Sequence, residues 1–255
     1  MMTLEQVAQN RISLARQIID KYIQLKNKRI REMCAYAGEV LARYNERKER
    51  DTEENRQTSF QYNPLRTIPI GETTHSRVIG DLLDPNGTHG QGALFLNTFL
   101  DLIGHENATS GQWHVTVETG RVDICLWRVD PASVVIIENK SNWAVDQSSQ
   151  LYRYWLQNIH SYYPDLNYEE ASTCRNFKVV YMAPSIHKRP TAQSLQRPPE
   201  LASLSGLPVS LPLIPVLFTL DTHLQEWCSR CMKHLDSKNE RLRNFLKFYK
   251  EIWSK

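Results

Sequence analysis

Four consecutive β-branched residues, Val134 to Ile137, are followed directly by the triplet Glu138-Asn139-Lys140. An apolar run of this length is typical of a central strand that is buried on both faces. Because alternate side chains of a strand share a face, Glu138 and Lys140 are predicted to point one way and Asn139 the other. The chain is therefore expected to fold around a buried strand that ends in a charge pair, although Glu-x-Lys alone is more often a solvated strand end.

A second acid is predicted to lie beside Glu138. Asp123 belongs to an alternating strand pattern, and the short, turn-rich segment 129–133 suits a hairpin between the two strands. Two converged carboxylates repel each other, and oxygen ligands of this kind suit Mg²⁺ or Mn²⁺. The pattern predicts a divalent-metal site formed by Asp123, Glu138 and the backbone carbonyl of Asn139. Lys140 is expected to hold the attacking water or to offset charge on a phosphoryl oxygen.

A helix is predicted from Val145 to Tyr163, after the charged strand end. Its periodicity places Gln147, Gln150, Leu151 and Tyr154 on one face. Leu151 is expected to pack on the sheet, while Gln150 hydrogen-bonds the nucleophilic water or a substrate phosphate. Tyr154 would stack on a base or bind phosphate, although an aromatic residue at helical spacing is more often part of the core.

The combined motifs resemble the PD-(D/E)XK nuclease superfamily. The central ones are Asp123, Glu138-x-Lys140 and Gln150-Leu151-x-x-Tyr154, of which the glutamine and tyrosine motif resembles the RecB-like exonuclease branch. The upstream motifs are similar to those of a bacterial family within the superfamily. They are Glu72-x-x-His75-Ser76, Leu82-Leu83-Asp84-Pro85, His89-Gly90 and Phe95-Leu96. The likeness covers about Glu72 to Tyr181. The usual proline-aspartate pair is Val122-Asp123 here, which leaves the acid in place.

This resemblance implies an α/β, restriction-endonuclease-like fold: an αβββαβ core with a mixed sheet flanked by helices. It implies a Mg²⁺-dependent phosphodiesterase acting on nucleic acid, with DNA favoured over RNA, and a role in defence against foreign DNA or in repair. Glu72, Asp123, Glu138, Lys140 and Gln150 would be catalytic. The alternative is a catalytically inactive module on the same fold that binds nucleic acid or protein, because a scaffold does not guarantee its chemistry.

A helix is also predicted from Glu72 to Leu83, with an apolar stripe for the sheet. The resemblance implies that Glu72 is the first active-site acid, a metal ligand directly or through water. The residues alone equally allow a helix-start glutamate favoured by the helix dipole. His75 is expected either to contact the scissile phosphate or to be a satisfied structural histidine.

Long helices are predicted at both ends of the chain. Residues Thr3 to about Asn55 read as one long helix or two stacked ones, packed along the nuclease core or used for a homo-oligomer or a protein partner. The predicted domains are an N-terminal helical extension, 1–60, and a nuclease domain, 61–255. The latter would end in a closing helix from Thr222 to Trp253.

Composition bounds the remaining possibilities. The 31 basic and 28 acidic residues give a net charge of +3, which permits nucleic-acid binding without demanding it. Five irregularly spaced cysteines and the lack of an amino-terminal apolar run predict a reduced, cytoplasmic protein without a membrane segment. No nucleophile elbow or phosphate-binding loop supports serine, cysteine or kinase-type catalysis.

Overall fold

The structure is a computed structural model that describes residues 4–106 and 110–254. It divides into two compact units, Met1–Tyr62 and Asn63–Lys255. The first unit contains one continuous helix, α1 (Leu4–Thr58), rather than two stacked helices; Thr3 lies outside the described residues. The assignment of residues 1–60 and 61–255 as separate domains stays a prediction.

A mixed, five-stranded sheet forms the centre of the second unit. Its strands, in the order β1-β2-β3-β4-β5, are β1 (His114–Thr119), β2 (Val122–Arg128), β3 (Ser133–Asn139), β4 (Phe177–Ala183) and β5 (Val216–Thr219). The first three strands are antiparallel neighbours, whereas β3, β4 and β5 are parallel. Every residue of β3 is buried, as the β-branched run predicted.

Helices cover both faces of this sheet. They are α2 (Glu72–Leu83), α3 (Leu94–Leu102), α4 (Gln150–Trp155), α5 (Ala171–Asn176), α6 (Ala192–Leu195), α7 (Gln225–His234) and α8 (Glu240–Trp253). One apolar core lies between the sheet and α2, α3, α7 and α8, and a second contains residues of α4. None of the described helices is both long and apolar enough to cross a membrane. The α/β prediction and the predicted bounds of α2 are confirmed.

Arg128 closes the hairpin between β2 and β3. Its side chain is fully buried and donates from Nε to the Pro131 carbonyl and to Ser133 Oγ, each at 3.0 Å. A buried guanidinium is tolerated only where its donors are satisfied. These bonds fix the turn, which in turn fixes how β2 and β3 pair.

The predicted helix from Val145 to Tyr163 is wrong in its bounds. Regular α-helix begins at Gln150, and after Trp155 it continues as a π-helical turn, Leu156–His160. Ser149 has a left-handed φ of 56°. The buried carboxylate of Asp146 accepts hydrogen bonds from Tyr181 Oη at 2.6 Å and from the Thr191 amide at 2.7 Å. These contacts hold the segment before Gln150 out of the helix.

The predicted closing helix from Thr222 to Trp253 is also interrupted. It consists of a π-helical turn, Leu220–Leu224, followed by α7 and α8 with a break between them. Asp236 Oδ1 accepts a hydrogen bond from the Lys238 amide at 2.8 Å, which makes a local turn. Arg243 donates to the carbonyls of Met232 at 3.1 Å and Leu235 at 2.8 Å, and thereby satisfies the end of α7.

Candidate active site

The hairpin of β2 and β3 brings Asp123 and Glu138 to the same edge of the sheet. The paired register ends at Ile124 opposite Ile137, and the two acids are the next residues on their strands. Asp123 Oδ2 accepts a hydrogen bond from the Asn139 amide at 2.6 Å. The carboxyl groups of Asp123 and Glu138 are close enough to interact and to raise the pKa of Glu138. The predicted pair of acids is therefore brought together.

Glu138 is only 1% exposed, and its two carboxylate oxygens have different surroundings. Oε1 lies 2.6 Å from Lys140 Nζ and accepts a hydrogen bond from Gln150 Nε2 at 2.9 Å. Oε2 is buried and has no hydrogen-bond partner among the described residues. A buried carboxylate oxygen without a donor costs free energy. One half of Glu138 is thus held by protein, and the other half is available to a ligand.

The electrostatics of this cluster follow from burial. The pKa of Glu138 is raised to about 8, chiefly by burial and also by the charge of Asp123, while Lys140 acts to lower it. Burial also raises the pKa of Asp123 to about 6, against the hydrogen bond from the Asn139 amide. For Lys140, burial acts to lower the pKa, but the attraction of Glu138 and the other acids raises it above its usual value. The negative charges of Asp123 and Glu138 are therefore only partly neutralised by Lys140.

The side chain of Asn139 lies on the opposite face and is fully engaged. Its Nδ2 donates to the Glu72 carbonyl at 2.9 Å and to Ser76 Oγ at 3.0 Å. Its Oδ1 accepts from the Ser141 amide at 3.1 Å and lies 3.2 Å from His75 Nδ1. These bonds attach the first turn of α2 to the end of β3 and so place Glu72 next to the acid pair.

His75 is fully buried in this network. Its ring lies against those of Trp253, with centroids 4.8 Å apart, and Tyr249, at 5.6 Å. Burial lowers the pKa of His75 to about 4, so the imidazole is neutral at physiological pH. In this arrangement a phosphate does not reach the ring. The geometry favours the structural alternative for His75 over the predicted substrate contact.

Glu72 begins α2 and is brought near the acid pair, but it is not in contact with it. Its Oε1 accepts a hydrogen bond from the Asn142 amide at 3.3 Å. Its charge makes a small contribution to the raised pKa values of Asp123 and Lys140. The position matches a supporting acid better than a principal ligand.

Gln150 and Tyr154 lie on the same side as Glu138. Gln150 Nε2 donates to Glu138 Oε1 and also to Tyr154 Oη at 2.9 Å, while its Oε1 accepts from the Gln147 amide at 3.2 Å. Burial and the nearby acids raise the pKa of the Tyr154 phenol. The predicted helical face of Gln150 and Tyr154 therefore exists, whereas Gln147 contributes through its backbone from the preceding loop.

A polar cluster around Asp146 was not predicted. Besides Tyr181 and Thr191, Asp146 binds Lys188 Nζ at 3.4 Å, and Tyr181 is the register partner of Glu138 on β4. The cluster joins the loops that follow β3 and β4 beside the site. Because its members are 35 to 45 residues apart in sequence, no local pattern could have revealed it.

The donor set fits a hard divalent cation. Within residues 4–106 and 110–254, no group of three or more His, Cys, Asp or Glu side chains forms a ready-made metal site. Two acids are nevertheless adjacent, and Glu138 Oε2 lacks a donor. Magnesium is commonly held by one or two carboxylates and keeps water in its other positions. Asp123 and Glu138 are sufficient for such a site.

Comparison with known proteins gives one positive result. The sequence model of a protein family described as the PD-(D/E)XK nuclease superfamily matches residues 62–251, which is more than half of the chain. No curated protein and no solved structure matches the chain significantly.

Proposed function

Since the chain belongs to the PD-(D/E)XK nuclease superfamily, we propose that it is a divalent-metal-dependent phosphodiesterase that cleaves DNA. The family supports a nuclease-type function, and PD-(D/E)XK nucleases generally use divalent metal ions. The finer parts of the proposal are the choice of DNA over RNA, of Mg²⁺ or Mn²⁺ as the ion, and of the residues that act.

One observation carries the assignment of the site: Glu138 Oε2 is buried without a donor while a second carboxylate, that of Asp123, lies beside it. Like charges in a buried site are costly, and folded proteins retain such groups mainly where they bind a ligand or do chemistry. A divalent cation between them would remove the repulsion and supply the missing partner.

The proposed roles follow from the contacts of each side chain. Asp123 and Glu138 would hold the ion with the Asn139 carbonyl, and Glu72 would assist directly or through water. A bound divalent ion supplies Lewis-acid chemistry and lowers the pKa of bound water. Lys140 would orient the nucleophilic water or stabilise charge on the phosphoryl oxygen.

On the helix side, Gln150 would position the reacting group. Its amide is already fixed by Glu138 and Tyr154, so it needs little reorganisation during the reaction. Tyr154 would contact the substrate phosphate or base next to it.

The test is a cleavage assay with purified full-length protein. Linear, circular and single-stranded DNA, and RNA, are incubated with Mg²⁺, with Mn²⁺ or with EDTA. Wild-type protein is expected to cleave DNA only when a metal is present, and Asp123→Asn and Lys140→Ala are expected to abolish cleavage while remaining folded by circular dichroism. Asp165→Asn is the matched control, because Asp165 is an exposed acid in the loop between His160 and Ala171, outside the proposed site; it should retain activity.

The inactive binding module remains the second candidate, because Lys140 already neutralises one oxygen of Glu138 and Glu72 is bound to Asn142. Thermal unfolding separates the two. Stabilisation by Mg²⁺ that disappears in Asp123→Asn supports the metal site. Absence of both this stabilisation and cleavage would reject the nuclease and favour the module.

The partner and location predictions accompany this proposal. We propose nucleic acid as the substrate, a cytoplasmic location, and a homo-oligomer or protein partner through α1. The exposed surface of α1 allows the last of these to be made specific.

A further inference from the structure

Helix α1 carries a long series of large apolar side chains that are exposed to solvent. Its large apolar side chains between positions 12 and 44 are 47% to 70% exposed: Ile12, Leu14, Ile18, Ile19, Tyr22, Ile23, Leu25, Ile30, Met33, Tyr36, Val40, Leu41 and Tyr44. An apolar surface of this extent marks an interaction site in a folded protein. Isolated helices also gain little stability in water without a packed apolar face. The helix therefore requires a partner.

The spacing of these residues fits pairing with another helix. Two rows alternate at intervals of three and four residues, as in the a and d positions of a coiled coil. The d row is Ile12, Ile19, Lys26, Met33 and Val40, and the a row is Arg16, Ile23, Ile30, Ala37 and Tyr44. Arg16 and Lys26 interrupt the seam, and Leu14, Ile18 and Leu25 lie on other faces of the helix. The seam spans five heptads.

The distribution of charge along α1 favours one partner helix and one orientation of that helix. Residues 10–31 contain seven basic and one acidic side chain, whereas residues 32–53 contain four basic and six acidic ones. Two copies in parallel register would place the strongly basic halves against each other. Two antiparallel copies would place each basic half against an acidic half, which is the favourable arrangement.

We propose that α1 pairs with α1 of a second copy of this chain in an antiparallel coiled coil. In the register that matches the two rows, Ile30 lies opposite Met33 of the partner subunit and Ile23 opposite Val40 of the partner subunit. Lys26 then faces the small Ala37 of the partner subunit, which leaves room for the lysine stem to reach solvent.

The same register accounts for polar and aromatic residues on the flanks of the seam. It places Arg29 beside Tyr36 of the partner subunit, and Tyr22 beside Arg43 of the partner subunit. Each pair is of the cation–π type. The parallel alternative offers no comparable use of these side chains. The inference uses only α1 and does not depend on the proposed nuclease activity.

The first experiment measures the mass of the full-length protein in solution by light scattering after size exclusion. A mass of two chains is expected. Ile30→Glu, which places a charge in the central layer, should halve the mass. Leu14→Glu is the matched control, because Leu14 is equally apolar and exposed but lies outside the seam; it should leave the dimer intact. A wild-type monomer, or an assembly of more than two chains, would overturn the proposal.

The second experiment tests direction. In a background in which the exposed Cys34 and Cys174 are both replaced by serine, the double variant Ile23→Cys/Val40→Cys is oxidised in a glutathione buffer. Antiparallel pairing should join positions 23 and 40 of different chains and give a covalent dimer. Within one helix these positions are about 25 Å apart, which is too far for a disulfide. Each single variant should remain uncrosslinked. Covalent dimers formed by the single variants would show parallel pairing and refute the antiparallel arrangement.

Discussion

Glu138 and Asn139 are neighbours at the end of β3, and each is only 1% exposed, yet their surroundings are opposite in kind. The Asn139 side chain is engaged at both polar atoms by residues of α2 and by the Ser141 amide. Glu138 faces a second acid and keeps one oxygen without a donor. One strand end thus presents an amide that is hydrogen-bonded at both polar atoms on one face and an unsatisfied charge cluster on the other.

This difference separates stability from function. The hydrogen bonds of the Asn139 side chain stabilise the position of α2, because removal of the amide would leave its buried partners unpaired. A cluster of buried like charges costs stability, and it is useful only when a ligand or a reaction removes that cost. The substitutions Asp123→Asn and Asn139→Asp test this distinction, because each exchanges an acid and an amide with little change in shape.

The largest effect is expected for Asp123→Asn. The substitution keeps an oxygen for the Asn139 amide but removes one of the two principal carboxylates of the proposed metal site. Cleavage of DNA in Mg²⁺ should fall by at least about 10³-fold. The metal-free variant should be at least as stable as wild type at pH 8, because the repulsion on Glu138 is removed. Initial cleavage rates and urea unfolding measure the two quantities.

Unchanged cleavage by Asp123→Asn would remove Asp123 from the site. Full cleavage accompanied by a large loss of stability would show that the acid pair stabilises the fold and has no role in the reaction.

The next largest effect is expected for Asn139→Asp. This change replaces an amide that donates to the Glu72 carbonyl and Ser76 Oγ with a buried carboxylate. Two acceptors lose their donor and a charge is buried, so the free energy of unfolding at pH 8 should fall by about 3 kcal/mol. Urea unfolding measures it, with Asn244→Asp, at an exposed position of α8, as the matched control. Equal, small effects of the two changes would contradict the network.

The strand period made much of this predictable. The opposite directions of Glu138 and Asn139 follow from two-residue alternation, and the short, turn-rich segment 129–133 suits a hairpin between two apolar strand patterns. The helix Glu72–Leu83 was predicted with the observed bounds because its apolar stripe is strong and begins after a glycine. These features depend on local sequence.

Other features depend on residues distant in sequence. His75 is enclosed by Trp253 and Tyr249 of α8, which lie more than 170 residues away, so its burial left no mark near the motif. The helix around Gln150 starts late because Asp146 binds Tyr181 and Thr191. Sequence periodicity describes what each segment favours, whereas these outcomes were decided by tertiary contacts.

The smallest expected effect is in the pH dependence of the metal-free protein. Since burial raises the pKa of Asp123 to about 6 and of Glu138 to about 8, the folded state binds more protons than the unfolded state between about pH 4 and pH 8. The contribution of these acids to stability is therefore complete below pH 4 and falls as pH rises through 6 and 8, by at most about 1.4 kcal/mol per pH unit for each titrating group.

His75, whose pKa is about 4 in the folded state, makes stability rise with pH below 6.5, opposite to the effect of the two acids. The informative comparison is therefore between wild type and Asp123→Asn from pH 6.5 to 8.5 in EDTA, above the range in which His75 has its main effect. Urea unfolding should show a steeper decline for wild type, since the variant lacks one acid and relieves the other. Parallel pH profiles would mean that repulsion between the two carboxyl groups does not lower the free energy of unfolding. The difference between Glu138 and Asn139 would then be one of hydrogen bonding only. No electrostatic repulsion between the acids would remain for a bound cation to relieve.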